Sequence, residues 1–321
     1  FKTYITSVWG IPPSQFSPAF ARERIPRFNI VSFLGNLSSA IRNRVHGPID
    51  TKSYVEKVEG FLYTTKQGFS LITQRMLDRL EEKGADVHLQ SEVTKLYREG
   101  MQIHAIEWKE GGRLHQIEVG GVINTLPINE AILISEPLFE PEILQAARSL
   151  QFRALVLVGL VVRRPKVLAS SFMYFREHCF NRISDLAQFG FEIRPAGCTT
   201  LVAEISCGVQ DRLWTDENFA KERVIADLVR ERLLEETEVL EVHVFRARHA
   251  YPIYTLHYEK HLDLLLRTVD QMANMETAGR QGRFQYINTH VAMKMGYEAA
   301  DRLMTKLQVH DELSSSKASK D

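Results

Sequence analysis

Cysteine is scarce in this sequence: Cys179, Cys198 and Cys207 are the only three in 321 residues, and their spacing forms neither a metal-binding pattern nor a disulfide framework. So low a count suits a reducing compartment, and a cytoplasmic location is expected. Net charge is lacking as well, because forty Lys and Arg balance forty Asp and Glu. Without a net positive field, nothing draws the chain to nucleic acid or to anionic lipid. The longest clean apolar run, Ala154–Val162, is nine residues. A membrane-spanning helix needs about 20, so no transmembrane segment is expected. Several chemical motifs are also missing: there is no G-x-G-x-x-G, no P-loop, no H-E-x-x-H and no G-x-S-x-G. The eleven histidines are scattered. His257 and His261 lie four apart near an expected helix start, but no third ligand is close and zinc needs three or four, so no metal site is expected.

What is present describes an ordinary globular chain, with 44% hydrophobic and 25% charged residues. Its length suggests two domains of roughly 100–200 residues each. Phe1-Lys2-Thr3-Tyr4 shows neither an initiating Met nor a leader, so the chain reads as cut from something longer. Residues 1–60 are irregular and rich in Pro, Arg and Ser. A helix is expected after Gly68, with Phe69, Ile72, Met76 and Leu80 sharing one face and Gly84 at its end. Val87–Leu89 reads as a short strand. Val93–Arg98, Met101–Lys109 and Arg113–Val119 follow as a meander, turned at Glu99-Gly100 and Glu110-Gly111-Gly112. Gly121–Pro127 reads as a buried strand stopped by its proline.

Beyond Ile128 the expected strands are Arg153–Arg163, Ser171–Arg176, Thr199–Ser206 and Val239–Arg248. Helical pieces are expected at Glu130–Ser135 and Pro141–Leu150. A longer helix is expected over Asp216–Glu235, capped by Thr215. Another should cover Tyr258–Met272, with Leu262, Leu265, Leu266 and Val269 inward, and a last one Thr289–Leu307. Interleaved helices and strands imply an α/β or α+β protein.

The segment Gly279-Arg280-Gln281-Gly282-Arg283-Phe284-Gln285-Tyr286-Ile287-Asn288 carries the most chemistry. Its two glycines, three apart, allow a backbone to approach a ligand closely. Two arginines can pair with a phosphate. A helix begins directly afterwards, and its free N–H groups favour an anion or an electron-rich ring edge. A polar loop before a terminal helix fits the same residues equally well.

This segment resembles the C-terminal signature of the flavin-dependent amine oxidase superfamily, with the nearest likeness to protoporphyrinogen-oxidase-like proteins and UDP-galactopyranose mutases. Four further stretches resemble that superfamily in the right order: Tyr4–Pro12 with Arg22–Pro26, Lys66–Phe69 with the helix after it and Val93, Val122–Pro127, and Ala250–Tyr254. There are departures. Relatives tend to carry Lys where this chain has Ser7, and Asp where it has His290.

The resemblance implies an FAD-linked-reductase-like α/β (α+β) fold, with an incomplete cofactor domain and a substrate domain built on a mostly antiparallel sheet. The implied division is 1–60 and 128–272 on the substrate side, 61–127 and 273–310 on the cofactor side, and 311–321 as a disordered tail. Segments 61–127 and 275–310 should share one layer. A parallel sheet without its leading strand–helix unit should expose apolar strand faces and unpaired backbone groups.

The resemblance also implies residue roles. Val93 would meet the adenine of FAD; Thr125 and Pro127 would lie at a strand end beside the cofactor. Arg280 would approach the pyrophosphate, with Gly279 and Gly282 permitting close contact. Val291 and Ala292 would present helix amides to the flavin ring. Tyr251 and Tyr254 would line the substrate side, and Arg248 could receive an acidic substrate. No catalytic residue is assigned. The implied activity is that of an FAD-dependent oxidoreductase acting on a small molecule, with FAD bound weakly or not at all by this chain and activity correspondingly lost. A mutase-like flavin-dependent isomerase and a catalytically silent fragment remain open.

Overall fold

The computed structural model describes residues 2–20 and 65–318. The expected Arg22–Pro26 run lies outside them. In chain order the helices are α1 (Lys2–Trp9), α2 (Ser70–Glu82), α3 (Ile128–Leu133), α4 (Pro141–Ser149), α5 (Arg212–Thr215), α6 (Glu217–Arg230), α7 (Tyr258–Asp270), α8 (Gly279–Gly282) and α9 (Thr289–Ala318). The strands are β1 (Ser91–Glu99), β2 (Gln102–Glu110), β3 (Arg113–Glu118), β4 (Val122–Asn124), β5 (Ser135–Glu136), β6 (Gln151–Val162), β7 (Phe172–Tyr174), β8 (Arg182–Asp185), β9 (Thr199–Cys207), β10 (Val239–Ile253) and β11 (Met275–Thr277).

β1, β2 and β3 form the expected antiparallel meander, and β5 joins β1 in parallel. The β2–β3 turn is Gly111-Gly112, both at positive φ (55° and 82°), a conformation that tight hairpins reserve for glycine. The second sheet is antiparallel, in the order β10-β6-β9-β8-β7. Alternate residues of β6 (Val156, Val158, Leu160, Val162) and β9 (Leu201, Ala203, Ile205) are fully buried. They pack under Ala220, Val224 and Leu228 of α6, forming one core.

A second core gathers Leu96, Ile103, Val122 and Met275 with Ile128 and Ile132 of α3, Leu144 of α4, and Leu262, Leu265 and Val269 of α7. The 128–272 stretch therefore divides between the two cores. Its helices α3, α4 and α7 and the short strand β5 join the meander side, and the sheet of β6–β10 packs with α6.

β4 and β11 pair in parallel, bridging 153 positions of sequence at Asn124 and Thr277. Asn274, buried just before β11, ties this pair to the meander. Its side chain accepts from Ile103 N (2.9 Å) and donates to Ile103 O (2.6 Å) and Gly120 O (3.0 Å). Every residue of β11 is buried.

Several boundaries differ from expectation. Asp216, not Thr215, caps α6, its side chain accepting from Phe219 N at 2.9 Å. Thr215 instead closes α5, and its hydroxyl donates to Asp211 O. A carboxylate accepts a helix amide better than a hydroxyl already spent one turn back. Val87–Leu89 forms no strand. α9 continues to Ala318, past the expected start of a disordered tail at 311.

The apolar face of α2 is open to solvent: Phe69 is 67% exposed, Ile72 41%, Met76 45% and Leu80 47%. Large apolar side chains are also exposed on strands, at Leu114 and Ile117 of β3, Phe172 and Met173 of β7, and Leu240 and Phe245 of β10. The β4–β11 pair contributes only Ile123 to this uncovered surface.

Glu276 of β11 is a buried carboxylate held by Arg302 (2.8 Å) and Lys306 (2.9 Å) of α9. Burial pushes its pKa up, but the hydrogen bonds from Lys306 and Arg302 outweigh that and leave it below the usual value. A depressed carboxylate stabilises the fold above its unfolded pKa and stops doing so as pH falls through its folded pKa. The stability difference between wild type and Glu276→Gln should therefore be largest near neutrality. It should shrink steadily as urea unfolding is repeated from pH 6 towards pH 3. A difference independent of pH would show that the pair is not what anchors α9.

Candidate functional site

α1 ends at Gly10, whose φ of +75° turns the chain sharply. Arg153 of β6 clamps this end, donating from Nε to Val8 O (3.1 Å) and from Nη2 to Ser7 O (3.2 Å) and to Ser206 O of β9 (3.1 Å). A cation at a helix C-terminus meets its unpaired carbonyls favourably. A β-carbon at Gly10 would lie 2.6 Å from Arg153 Nη1. Ser7 is used structurally: its hydroxyl accepts from Asn181 Nδ2 at 3.0 Å.

Between α1 and the second sheet lies a cavity of about 1110 Å3. Ile5, Val8, Trp9, Phe16 and Phe20 supply an apolar wall. Tyr174, Arg176, Asn181, Arg182, Glu204 and Ser206 supply a polar one. Tyr251 and Tyr286 close the end, their rings stacked at 5.5 Å and 28°. Trp9 is buried yet part of the wall, in contact with Phe20 (5.1 Å) and Tyr251 (5.8 Å). Arg182 and Glu204 face each other across β8 and β9, and Arg182 Nε donates to Glu204 Oε1 at 2.7 Å. Burial first, then the Glu204 carboxylate and the Tyr286 hydroxyl, push the Tyr251 pKa up to about 12. Tyr251 is therefore a neutral donor at physiological pH.

The glycine segment adjoins the tyrosine end. Gly279 has φ +81°, and nothing lies within 4 Å of the place where its β-carbon would be. Gly282 differs, because a β-carbon there would be 2.7 Å from Thr277 Oγ1 and 3.0 Å from Asn124 O. Its missing side chain admits the neighbouring strand ends rather than a ligand. Gly282→Ala is expected to cost about 1–3 kcal/mol of overpacking, measured by chemical denaturation. A neutral result would mean that the α8 turn gives way freely.

Arg280 donates to Ile287 O (2.6 and 3.2 Å) and lies over Tyr286 (4.5 Å) and Tyr251 (5.7 Å). Its guanidinium thus braces the loop and the tyrosine pair. Phe284 next to it is fully buried at φ +51°, a conformation rare for a bulky residue and one that clusters at functional sites.

The other expected site residues are spread more widely. Thr125 is exposed at the end of β4, and Pro127 is buried where α3 begins. Val93 is half-buried on β1 opposite Trp108. Val291 and Ala292 occupy the first turn of α9, but the Ala292 N–H is already bonded to Asn288 O at 3.1 Å. Tyr254 does not line the cavity: it is 2% exposed, stacks on Tyr258 at 4.6 Å, and its hydroxyl accepts from Tyr286 N at 3.0 Å. Arg248 is exposed on β10, also outside the cavity lining. His249 beside it meets Glu130 at 3.5 Å, and this contact, more than burial, holds the Glu130 pKa below its usual value.

Sequence reasoning missed Asn181, Arg182 and Glu204. The available signal was Glu204 itself, the one charged residue of strand β9. Among the described residues no group of three His, Cys, Asp or Glu side chains could hold a metal, and no helix is long and apolar enough to cross a membrane.

No protein-family model and no curated protein matches the sequence. The fold does match solved structures. It superposes on reduced UDP-galactopyranose mutase with a TM-score of 0.67 at 16% identity, covering 89% of this chain and 58% of that one. Cyclohexylamine oxidase from Brevibacterium oxydans IH-35A gives 0.58 at 13%, covering 96% of this chain and 64% of that one. The protoporphyrinogen-oxidase-like protein of Exiguobacterium sp. 255-15 gives 0.54 at 15%, covering 76% and 52%. The chain therefore has the fold that these oxidases and the mutase share, and spans less than two thirds of each.

Proposed function

We propose that this chain carries the ring-side and substrate-side parts of an FAD-dependent oxidoreductase of the amine oxidase or protoporphyrinogen oxidase type. The observation that carries this reading is the adjacency of three features: an aromatic-lined cavity, the open left-handed turn at Gly279, and the start of the long helix α9. The residues present fit the flavin end of the cofactor. Gly279 leaves space for a ring edge, Thr125 and Pro127 stand at the strand end, and Val291 lies in the first helical turn. Val93 on the meander is the candidate for the adenine. Nothing comparable serves the pyrophosphate, since the sequence has no G-x-G-x-x-G and Arg280 is committed to Ile287 O and the tyrosines.

When bound, FAD would accept a hydride from a C–H or N–H centre of a small molecule. Tyr251 and Tyr286 would orient a flat substrate, with the Tyr251 hydroxyl donating a hydrogen bond. Trp9, Phe16 and Phe20 would exclude water. FAD should bind this chain weakly, and turnover should be negligible without stronger binding. One observation favours a second reading, a mutase-like isomerase: Arg176 and Arg182 share a cavity wall with tyrosines, as a nucleoside diphosphate would require. UDP-galactose binding against oxygen consumption separates the two.

The reading is tested by titrating FAD into the chain and into Gly279→Val while following flavin fluorescence. Saturable binding that the variant loses is expected. Identical titrations, or no saturation at millimolar FAD, would remove Gly279 from the site.

A further inference from the structure

We infer that the aromatic cavity selects organic anions, specifically a planar and largely apolar acid. Its ring would lie along Trp9, Phe16 and Tyr251, and its carboxylate would meet Arg176. The Arg182–Glu204 pair sets the sign of charge accepted. This rests on the reading of the cavity as the substrate site.

The argument is one of charge on the walls. Among the described lining residues, the side chains of charged type are Arg176, Arg182 and Glu204. Glu204 is the one carboxylate, and it is already spoken for: Arg182 bonds it from both Nε and Nη2, from the directly opposite position of the neighbouring strand. Its side chain is only 16% exposed, so the pair is shielded and adds little net charge. Arg176 lies just past the end of β7, exposed at the rim, and has no ion-pair partner among the described residues. Arg280 adds a further cation behind the tyrosine end. Glu259 stands behind the wall as well, bonded by the lining Ser17, so among the lining residues themselves the uncompensated charge is the guanidinium of Arg176.

A guanidinium binds a carboxylate through two parallel hydrogen bonds, while the phenols of Tyr174 on β7 and Tyr4 on α1 also line the cavity as donors. An ammonium entering the cavity would meet Arg176, with Arg280 behind the tyrosines adding to the repulsion. It could reach Glu204 only by displacing Arg182, leaving that guanidinium part-buried and unpaired. The opposite apolar wall then accounts for the body of the ligand, since flat rings pack favourably against aromatic faces.

The test titrates the intact chain, without FAD, with naphthalene-2-carboxylate and with 2-naphthylmethylamine, two probes that share a ring and differ in charge. Calorimetry reads both. The acid is expected to bind at least about tenfold more tightly, and Arg176→Gln should remove about tenfold of that affinity. Glu204→Gln leaves Arg182 uncompensated and should strengthen acid binding. Arg182→Gln exposes Glu204 and should shift preference towards the amine. Equal binding of the two probes, preference for the amine by wild type, binding of neither, or acid binding unchanged in both Arg176→Gln and Glu204→Gln would each overturn the inference. Acid selectivity in a chain that fails to bind FAD would sustain it while removing the flavin reading, so the two fail separately.

Discussion

Chain incubated with FAD and then desalted is expected to emerge colourless. The reason lies in which contacts these residues provide. The turn at Gly279 and the first turn of α9 are the proposed contacts for a ring edge, and Val93 is the proposed contact for the adenine. A glycine-rich loop at a helix N-terminus, which supplies backbone N–H groups and a favourable dipole for a pyrophosphate, is not among the 321 residues. Neither is the acidic residue that follows such a loop and holds the ribose. Charge-assisted hydrogen bonds of this kind contribute roughly 1.5–3 kcal/mol each. Two or three of them amount to about 3–9 kcal/mol, and each 1.4 kcal/mol is a tenfold change in affinity. A nanomolar site would thereby become micromolar to millimolar, too weak to survive desalting. A stoichiometric yellow protein would show that the phosphate is held elsewhere in this chain.

Phe284→Ala should be among the most destabilising single substitutions in the loop. Phe284 is fully buried and packs edge-on against Phe152 at 4.9 Å, with Tyr254 and Tyr258 at 6.0 and 5.8 Å. It is the plug that fastens the Gly279–Tyr286 loop to the core shared by α3, α4 and α7. Truncating such a ring costs about 3–5 kcal/mol. Its φ of +51° adds a sharper expectation. A β-carbon in the left-handed region costs roughly 1–2 kcal/mol. Glycine's extra unfolded-state freedom costs about 0.5–1 kcal/mol. Phe284→Gly should therefore be less destabilising than Phe284→Ala, reversing the usual order. Urea denaturation of both variants decides it, and a larger loss with glycine would mean that the positive φ relaxes once the ring is gone.

Much of the architecture could be read from sequence because it rests on local chemistry. The meander follows from glycines where the chain must turn, at Gly100 and Gly111-Gly112. The central strand β6 follows from an apolar run too short for a membrane and too β-branched for a surface helix. The inward stripe of α7 follows from helical spacing, and Leu262, Leu265 and Val269 are indeed buried. The cavity is another matter. Its walls come from α1, from β7–β9, and from Tyr251 and Tyr286, and these meet only through tertiary pairing. Nothing local relates Arg182 to Glu204; the β8–β9 register does. The same holds for Tyr254, whose place in an aromatic motif suggested a site residue. Period-two alternation does not say which face of β10 the chain will bury as it leaves the sheet, and Tyr254 falls just beyond the strand, inside the core. Gly282 was read as making room for a ligand. Only the paired strand ends show that Thr277 and Asn124 already fill that room.

The proposed site is tested most directly by a crystal structure of this chain grown in saturating, millimolar FAD, where weak binding no longer matters. The account predicts an ordered flavin ring against the Gly279 turn and the start of α9, facing the Tyr251–Tyr286 end of the cavity. A ring bound elsewhere on the protein, or a Gly279 turn left empty at saturating FAD, would contradict it.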